Sequence, residues 1–185
     1  MFNRFTDKAK MSLNLARMAA QEFGHSHIEP EHVLHGVLSA GPSRAWQMLG
    51  ANSVVIADVL KDIERRMPPR EAGATKEGPL LFAKGSKLLL EGAMRAAAGA
   101  GHTWIGTEHL LVGLSESNAE VVAAVFRERG LTTGALKIAL TTPVDSPEDV
   151  DARKLTLEGA ARIAKDFDDS ETARRIEALL KRLPA

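Results

Sequence analysis

Ala9, Leu13, Ala16, Ala20 and Phe23 recur at spacings of four, three, four and three, which draws a single apolar stripe along a helix. Thr6 stands where that helix takes its N-cap, and Gly24 where it stops. The same stripe returns 77 residues later in a paler version, at Ser86, Leu90, Ala93, Ala97 and Ala100, and ends at Gly101. The small residues on both stripes predict helices that approach one another closely. A histidine, a short turn and a second helix follow each glycine. Glu29-Pro30-Glu31 opens that helix in one copy, with proline in its first turn, and Gly106-Thr107-Glu108 opens it in the other, with threonine as the cap. Third and fourth helices are expected at 43–49 and 53–66 in the first copy and at 118–129 and 132–140 in the second, parted by Gly50 and Gly130.

The chain is therefore an internal duplication. Gly24-His25, Ile28, Glu31-His32, Leu34 and Gly36 match Gly101-His102, Ile105, Glu108-His109, Leu111 and Gly113 in register. Repeat one spans 1–66 and repeat two 80–140, joined by a proline- and glycine-bearing linker over 67–79. The copies differ in length: from the signature histidine to the separating glycine, His32 to Gly50 is three residues shorter than His109 to Gly130, with a tightened turn at Gly41-Pro42. A second linker covers 141–151, and 152–185 reads as a short helical hairpin.

Composition narrows the function. The chain of 185 residues is long enough to bury a core. It has no cysteine, which excludes disulfides, thiol catalysis and a cysteine-based zinc site. No stretch is apolar enough to cross a membrane and the first residues carry no export signal, so a cytoplasmic protein is expected. With 24 basic and 24 acidic residues in balance, no overall field recommends nucleic acid as a partner.

The repeated signature, opened by Met1-Phe2-Asn3-Arg4-Phe5-Thr6, resembles the amino-terminal domain of Clp ATPases, most closely the ClpC type. The resemblance implies an all-α fold of eight helices in two pseudo-twofold four-helix repeats. It also implies a non-catalytic role without cofactors, in which the domain captures clients or adaptor proteins for a Clp-family unfoldase. The chain has no Gly-x-x-x-x-Gly-Lys-Ser/Thr phosphate loop, so it cannot hydrolyse ATP by that route. Its own carboxy-terminal hairpin suggests a free-standing module.

The resemblance further implies binding of phosphorylated arginine at Glu31 and Glu108, each carboxylate meeting the guanidinium while hydroxyls, amides and a helix N-terminus accept the phosphate. A glutamate in the first helical turn also stabilises the helix dipole without any ligand. Thr6 matches the phosphate-holding position of the first site and is assigned there with Glu31; its counterpart Ala83 offers no hydroxyl, so the second site is expected to be the weaker. Glu29-Pro30 replaces Gly-Thr before Glu31, adding a negative charge and removing an amide donor. Phe2, Phe82, Lys87 and Glu91 match positions that line a peptide-binding surface between the repeats in the family. Two readings of other classes stand beside these. His32 and His35, three apart on a helix beside Glu31, form part of a possible metal site for a hydrolase, and the hairpin could serve as a scaffold. His25 and His102, each after a helix-ending glycine, read as capping or packing residues.

Overall fold

The computed structural model describes residues 2–69 and 80–141, which lie within one compact unit, Met1–Pro143. The expected hairpin and most of both linkers fall outside the described residues. Among the described residues, eight helices follow a 3-10 turn at Phe2–Arg4. They are α1 (Asp7–Phe23), α2 (Pro30–Ser39), α3 (Arg44–Gly50), α4 (Ile56–Arg66), α5 (Lys84–Gly99), α6 (Thr107–Ser115), α7 (Glu120–Glu128) and α8 (Thr133–Thr141). The all-α expectation of two four-helix repeats holds.

Local chemistry explains most of the boundaries. The Thr6 hydroxyl accepts the Ala9 amide at 3.2 Å and caps α1. Gly24 ends it in the left-handed region at φ 73°, with the Gly24 amide donating to Gln21 O and the His25 amide to Ala20 O. Gly101, at φ 74°, closes α5 in the same way, the His102 amide donating to Ala97 O. Two starts differ from the sequence reading. The helix expected from residue 53 begins only at Ile56, because Ser53 itself sits at φ 58° in a turn. Thr107 is not a cap: Gly106 holds that position, and the Thr107 hydroxyl accepts the Ala45 amide of α3 at 3.3 Å.

The two hydrophobic faces meet in one core that runs through both repeats, including Leu13, Leu34, Leu38 and Ile63 from the first and Leu90, Leu111, Leu114 and Leu136 from the second. Within each repeat the first two helices touch backbone to backbone. A Cβ at Gly36 would collide with the Ser12 carbonyl and Ala16 amide of α1, and one at Gly113 with the Leu89 carbonyl and Ala93 amide of α5. The alanine-rich stripes supply the flat surfaces that make this approach possible.

Between repeats, short parallel pairings cross reciprocally. In β1 (His27–Ile28) and β2 (Leu81–Phe82), Ile28 pairs with Phe82, and at the equivalent place Phe5 pairs with Ile105. The Thr6 amide donates to Ile105 O at 3.0 Å, as the Ala83 amide does to Ile28 O at 3.1 Å. At the far side α4 is tied to α7. Arg66 forks both oxygens of Glu128 at 2.8 and 2.7 Å, and Arg129 reaches buried Asp62 at 3.0 Å. The Arg66 hydrogen bond, opposed by burial and aided by Arg129 and Arg65, holds the Asp62 carboxyl down at about 2.

Gly36→Val should lower unfolding stability by about 2–3 kcal/mol through backbone displacement at the α1–α2 crossing. Gly50→Ala, where a Cβ meets nothing within 4 Å, should stay within about 0.5 kcal/mol. Urea unfolding of both variants checks the contrast.

Candidate functional site

Each repeat holds a pair of histidines that ties the end of its first helix to the start of its second. In repeat one the Glu29 amide donates to His32 Nδ1 at 2.9 Å, which leaves the His32 proton on Nε2. That nitrogen lies 2.7 Å from His25 Nδ1, and His25 Nε2 then points at Pro68 O, 3.0 Å away. Repeat two repeats the pattern, with the Gly106 amide 2.9 Å from His109 Nδ1 and His109 Nε2 2.9 Å from His102 Nδ1. His102 stacks on Trp104 with ring centroids 4.6 Å apart. The packing assignment of His25 and His102 is thus correct, and these bonds hold the two glutamate-bearing helix starts in place.

The metal reading of His32, His35 and Glu31 is corrected. Both His32 nitrogens are engaged as described, whereas His35 faces Glu64 Oε1 at 3.3 Å and Phe23 at 6.3 Å between centroids. His102, Glu108 and His109 bring potential ligand atoms within 4.8 Å of one another. There too His109 uses both nitrogens within the protein, so the cluster is a hydrogen-bonded strut.

The two signature glutamates stand in different surroundings although both are buried, Glu31 8% and Glu108 6% exposed. Glu108 folds back over Gly106, where any Cβ would strike its carboxylate. Its Oε1 lies 3.1 Å from His109 Nδ1, and its buried Oε2 has no hydrogen-bond partner. Glu29 occupies the place of Gly106 in repeat one, and its own Cβ bars Glu31 from the same fold-back. Among the described residues Glu31 bonds only to its own backbone amide, and burial pushes its pKa up, with Glu29 adding to the rise.

Glu31 instead lines a groove of about 610 Å³ between the start of α2, one face of α5 and the α6–α7 connection. Pro30, Leu88, Leu89 and Val121 give it apolar walls, and Glu29, Glu116, Glu120 and Arg95 join Glu31 on its polar side. At the corresponding place in the other half, the Thr107 hydroxyl holds the start of α3 against α6. Pro30 replaces that threonine, and the longer α6–α7 connection passes over the opening.

The pairing of Thr6 with Glu31 is also corrected. Through its bond to Ile105, Thr6 and the start of α1 stand beside the α6 turn that carries Glu108. Ala83 and the start of α5 stand beside the α2 turn that carries Glu31, with Gly85 packed near the Pro30 ring. Each composite site therefore draws one helix start from each repeat, and the threonine belongs to Glu108. Of the expected peptide surface, Phe82 is half-buried in β2 against the core, while Lys87 and Glu91 are exposed on α5. None of the three lines the groove, and the Phe2 side chain lies outside the described residues.

The fold, its duplication and its paired helix starts agree with a family model described as the Clp repeat (R) N-terminal domain, matched over residues 4–129 and again over 81–181. The chain belongs to this Clp N family. It is 30% identical over 201 residues to the ATP-dependent Clp protease ATP-binding subunit ClpC of Staphylococcus epidermidis, covering 98% of this chain and 24% of that protein. It is 28% identical to a ClpA homologue of Guillardia theta, over 97% of this chain and 22% of the relative. This Clp N domain thus spans about a quarter of the length of such relatives. Among solved structures, the N-terminal domain of the chaperone ClpD from Arabidopsis thaliana superposes with a TM-score of 0.60 at 18% identity, over 77% of this chain and 95% of that one. A ClpV N-domain in complex with a VipB peptide superposes with a TM-score of 0.60 at 16% identity, over 75% and 88%. Both likenesses concern the fold. Among the described residues no helix is long and apolar enough to cross a membrane.

The groove residues Leu88, Glu116, Glu120 and Val121 were missed at the level of sequence. The only hint of them was the three-residue difference between the two helix connections. As for pH, burial lowers the His102 pKa below its ordinary value of 6.5. An unfolded chain takes up that proton first, so the contribution of neutral His102 is complete above about pH 6.5 and is lost as the pH falls below it. The melting temperature should drop between pH 7 and pH 5, and His102→Phe, which keeps the stack on Trp104, should flatten that slope.

Proposed function

We propose that this Clp N domain is a non-catalytic recognition module of the Clp protease system that captures clients or adaptor proteins for a Clp-family unfoldase. Membership of the family carries this reading, supported by a related fold in the complex of a ClpV N-domain with a VipB peptide. The composite sites fit the role, since each presents a buried carboxylate beside a helix start drawn from the other repeat.

Phosphoarginine is the proposed ligand of the site formed by Thr6 and Glu108. The partnerless Oε2 of Glu108 is a ready acceptor for a guanidinium N–H. The first amides of α1 and the Thr6 hydroxyl supply donors for a phosphate, and the macrodipole of a 17-residue helix favours the anion there. At the opposite site Ala83 brings no hydroxyl and Glu29 adds a negative charge, both adverse to a phosphate.

Titration calorimetry with phosphoarginine is the test. Glu108→Gln should weaken binding about tenfold or more, Thr6→Ala should weaken it less, and Glu31→Gln should leave it nearly unchanged. Equal losses from Glu31→Gln and Glu108→Gln would refute the assignment.

A further inference from the structure

We propose that Glu108, His109 and His102 form a proton relay that occupies the Glu108 carboxylate from inside the protein in mild acid, which makes the two histidines positioning residues for the site at Thr6 and Glu108. The proposal rests on the phosphoarginine reading for the ligand of that site, whereas the relay is a property of the protein alone.

Two acceptors face each other here at hydrogen-bond distance. The Gly106 amide donates to His109 Nδ1 at 2.9 Å, so that nitrogen carries no proton, yet Glu108 Oε1 lies 3.1 Å from it. The His109 proton sits on Nε2 and points at His102 Nδ1, 2.9 Å away. Glu108 and His109 are 6% and 0% exposed, and the second carboxylate oxygen, Oε2, is buried without a hydrogen-bond partner. An added proton therefore has a place between Oε1 and Nδ1 and a route onward. In the other copy Glu29 bars Glu31 from the fold-back over glycine that brings Glu108 to its histidine.

The transfer balances with one proton taken from water. It enters at Glu108, which faces the ligand, and passes to His109 Nδ1, while the Nε2 proton of His109 passes to His102 Nδ1. His102 is then a cation, and being half-buried it holds the charge where water reaches it. His109 remains neutral in its other tautomer and donates from Nδ1 to Glu108 Oε1, and the Gly106 amide gives up its acceptor. A guanidinium now meets one free carboxylate oxygen instead of two. Glu108 and His109 of α6 face His102, and Arg4, ahead of α1, has its guanidinium committed to Thr103 O at 2.9 Å and His102 O at 3.5 Å. The stack on Trp104 fixes the plane of the His102 ring. Burial lowers the His102 pKa, so the relay is idle at neutral pH and engages as the pH falls through that lowered value.

Nitrogen-15 labelling of the histidines in the full 185-residue chain reads the relay without any ligand. Long-range proton–nitrogen spectra should place the His109 proton on Nε2 at about pH 7.5 and on Nδ1 at about pH 5.5, moving in step with proton uptake by His102. A His109 ring that keeps its Nε2 proton while His102 titrates would overturn the proposal, as would a His102 that stays neutral throughout. Over the same interval phosphoarginine affinity, followed by calorimetry, should fall at least about fivefold. His109→Gln keeps an acceptor for the Gly106 amide, as in a capping box, but has no second tautomer. It should show only the fall set by the ligand's own titration, and His102→Phe gives a second check should His109→Gln disturb folding. An equal fall in the wild type and both variants, or tighter binding in acid, would overturn the coupling. Failure to bind phosphoarginine at any pH would refute the ligand assignment alone, since the tautomer of His109 still decides the relay.

Discussion

The reciprocal backbone pairing between the repeats is the constraint on which the rest of this domain depends. Phe5 pairs with Ile105 and Phe82 with Ile28, so the residues just ahead of each repeat's first helix are held by the turn ahead of the other repeat's second helix. Only a few hydrogen bonds are involved, but they are buried at the seam and set the register of the whole assembly. Both candidate sites are consequently composite, each bordered by residues of both copies.

The duplication supplies two equivalent places, and a few residues make them chemically unlike. Gly106 and Thr107 in one repeat stand where the other has Glu29 and Pro30, and Thr6 stands where the other has Ala83. Each exchange acts in the same direction. The Thr6 end gathers donors and hides its glutamate beside an imidazole, while the Ala83 end gathers carboxylates and leaves its glutamate facing a groove. Burial pushes the Glu31 pKa up, and the neighbouring charge of Glu29 adds to the rise.

Close packing and polar satisfaction together keep these sites rigid. Backbone contact at Gly36 and Gly113 removes slack between the first two helices of each repeat, and the histidine pairs hold the second helix starts to the ends of the first. The ion pairs from Asp62 and Arg66 to Arg129 and Glu128 close the far side.

The helices, their glycine stops, the Thr6 cap and the duplication itself were legible in the sequence, because each depends on residues within a turn or two of one another. The signature glutamates and the capping or packing reading of His25 and His102 were legible for the same reason. The strand pairs were not, since a segment of two residues has no period. The start of α4 at Ile56 was hidden by the left-handed turn at Ser53. The partnership of Thr6 with Glu108, the fold-back permitted by Gly106 and the groove at Glu31 were decided only by tertiary structure. They join residues far apart along the chain, across a pairing that crosses from one repeat to the other, and local patterns carry no record of which copy's helix a side chain will meet.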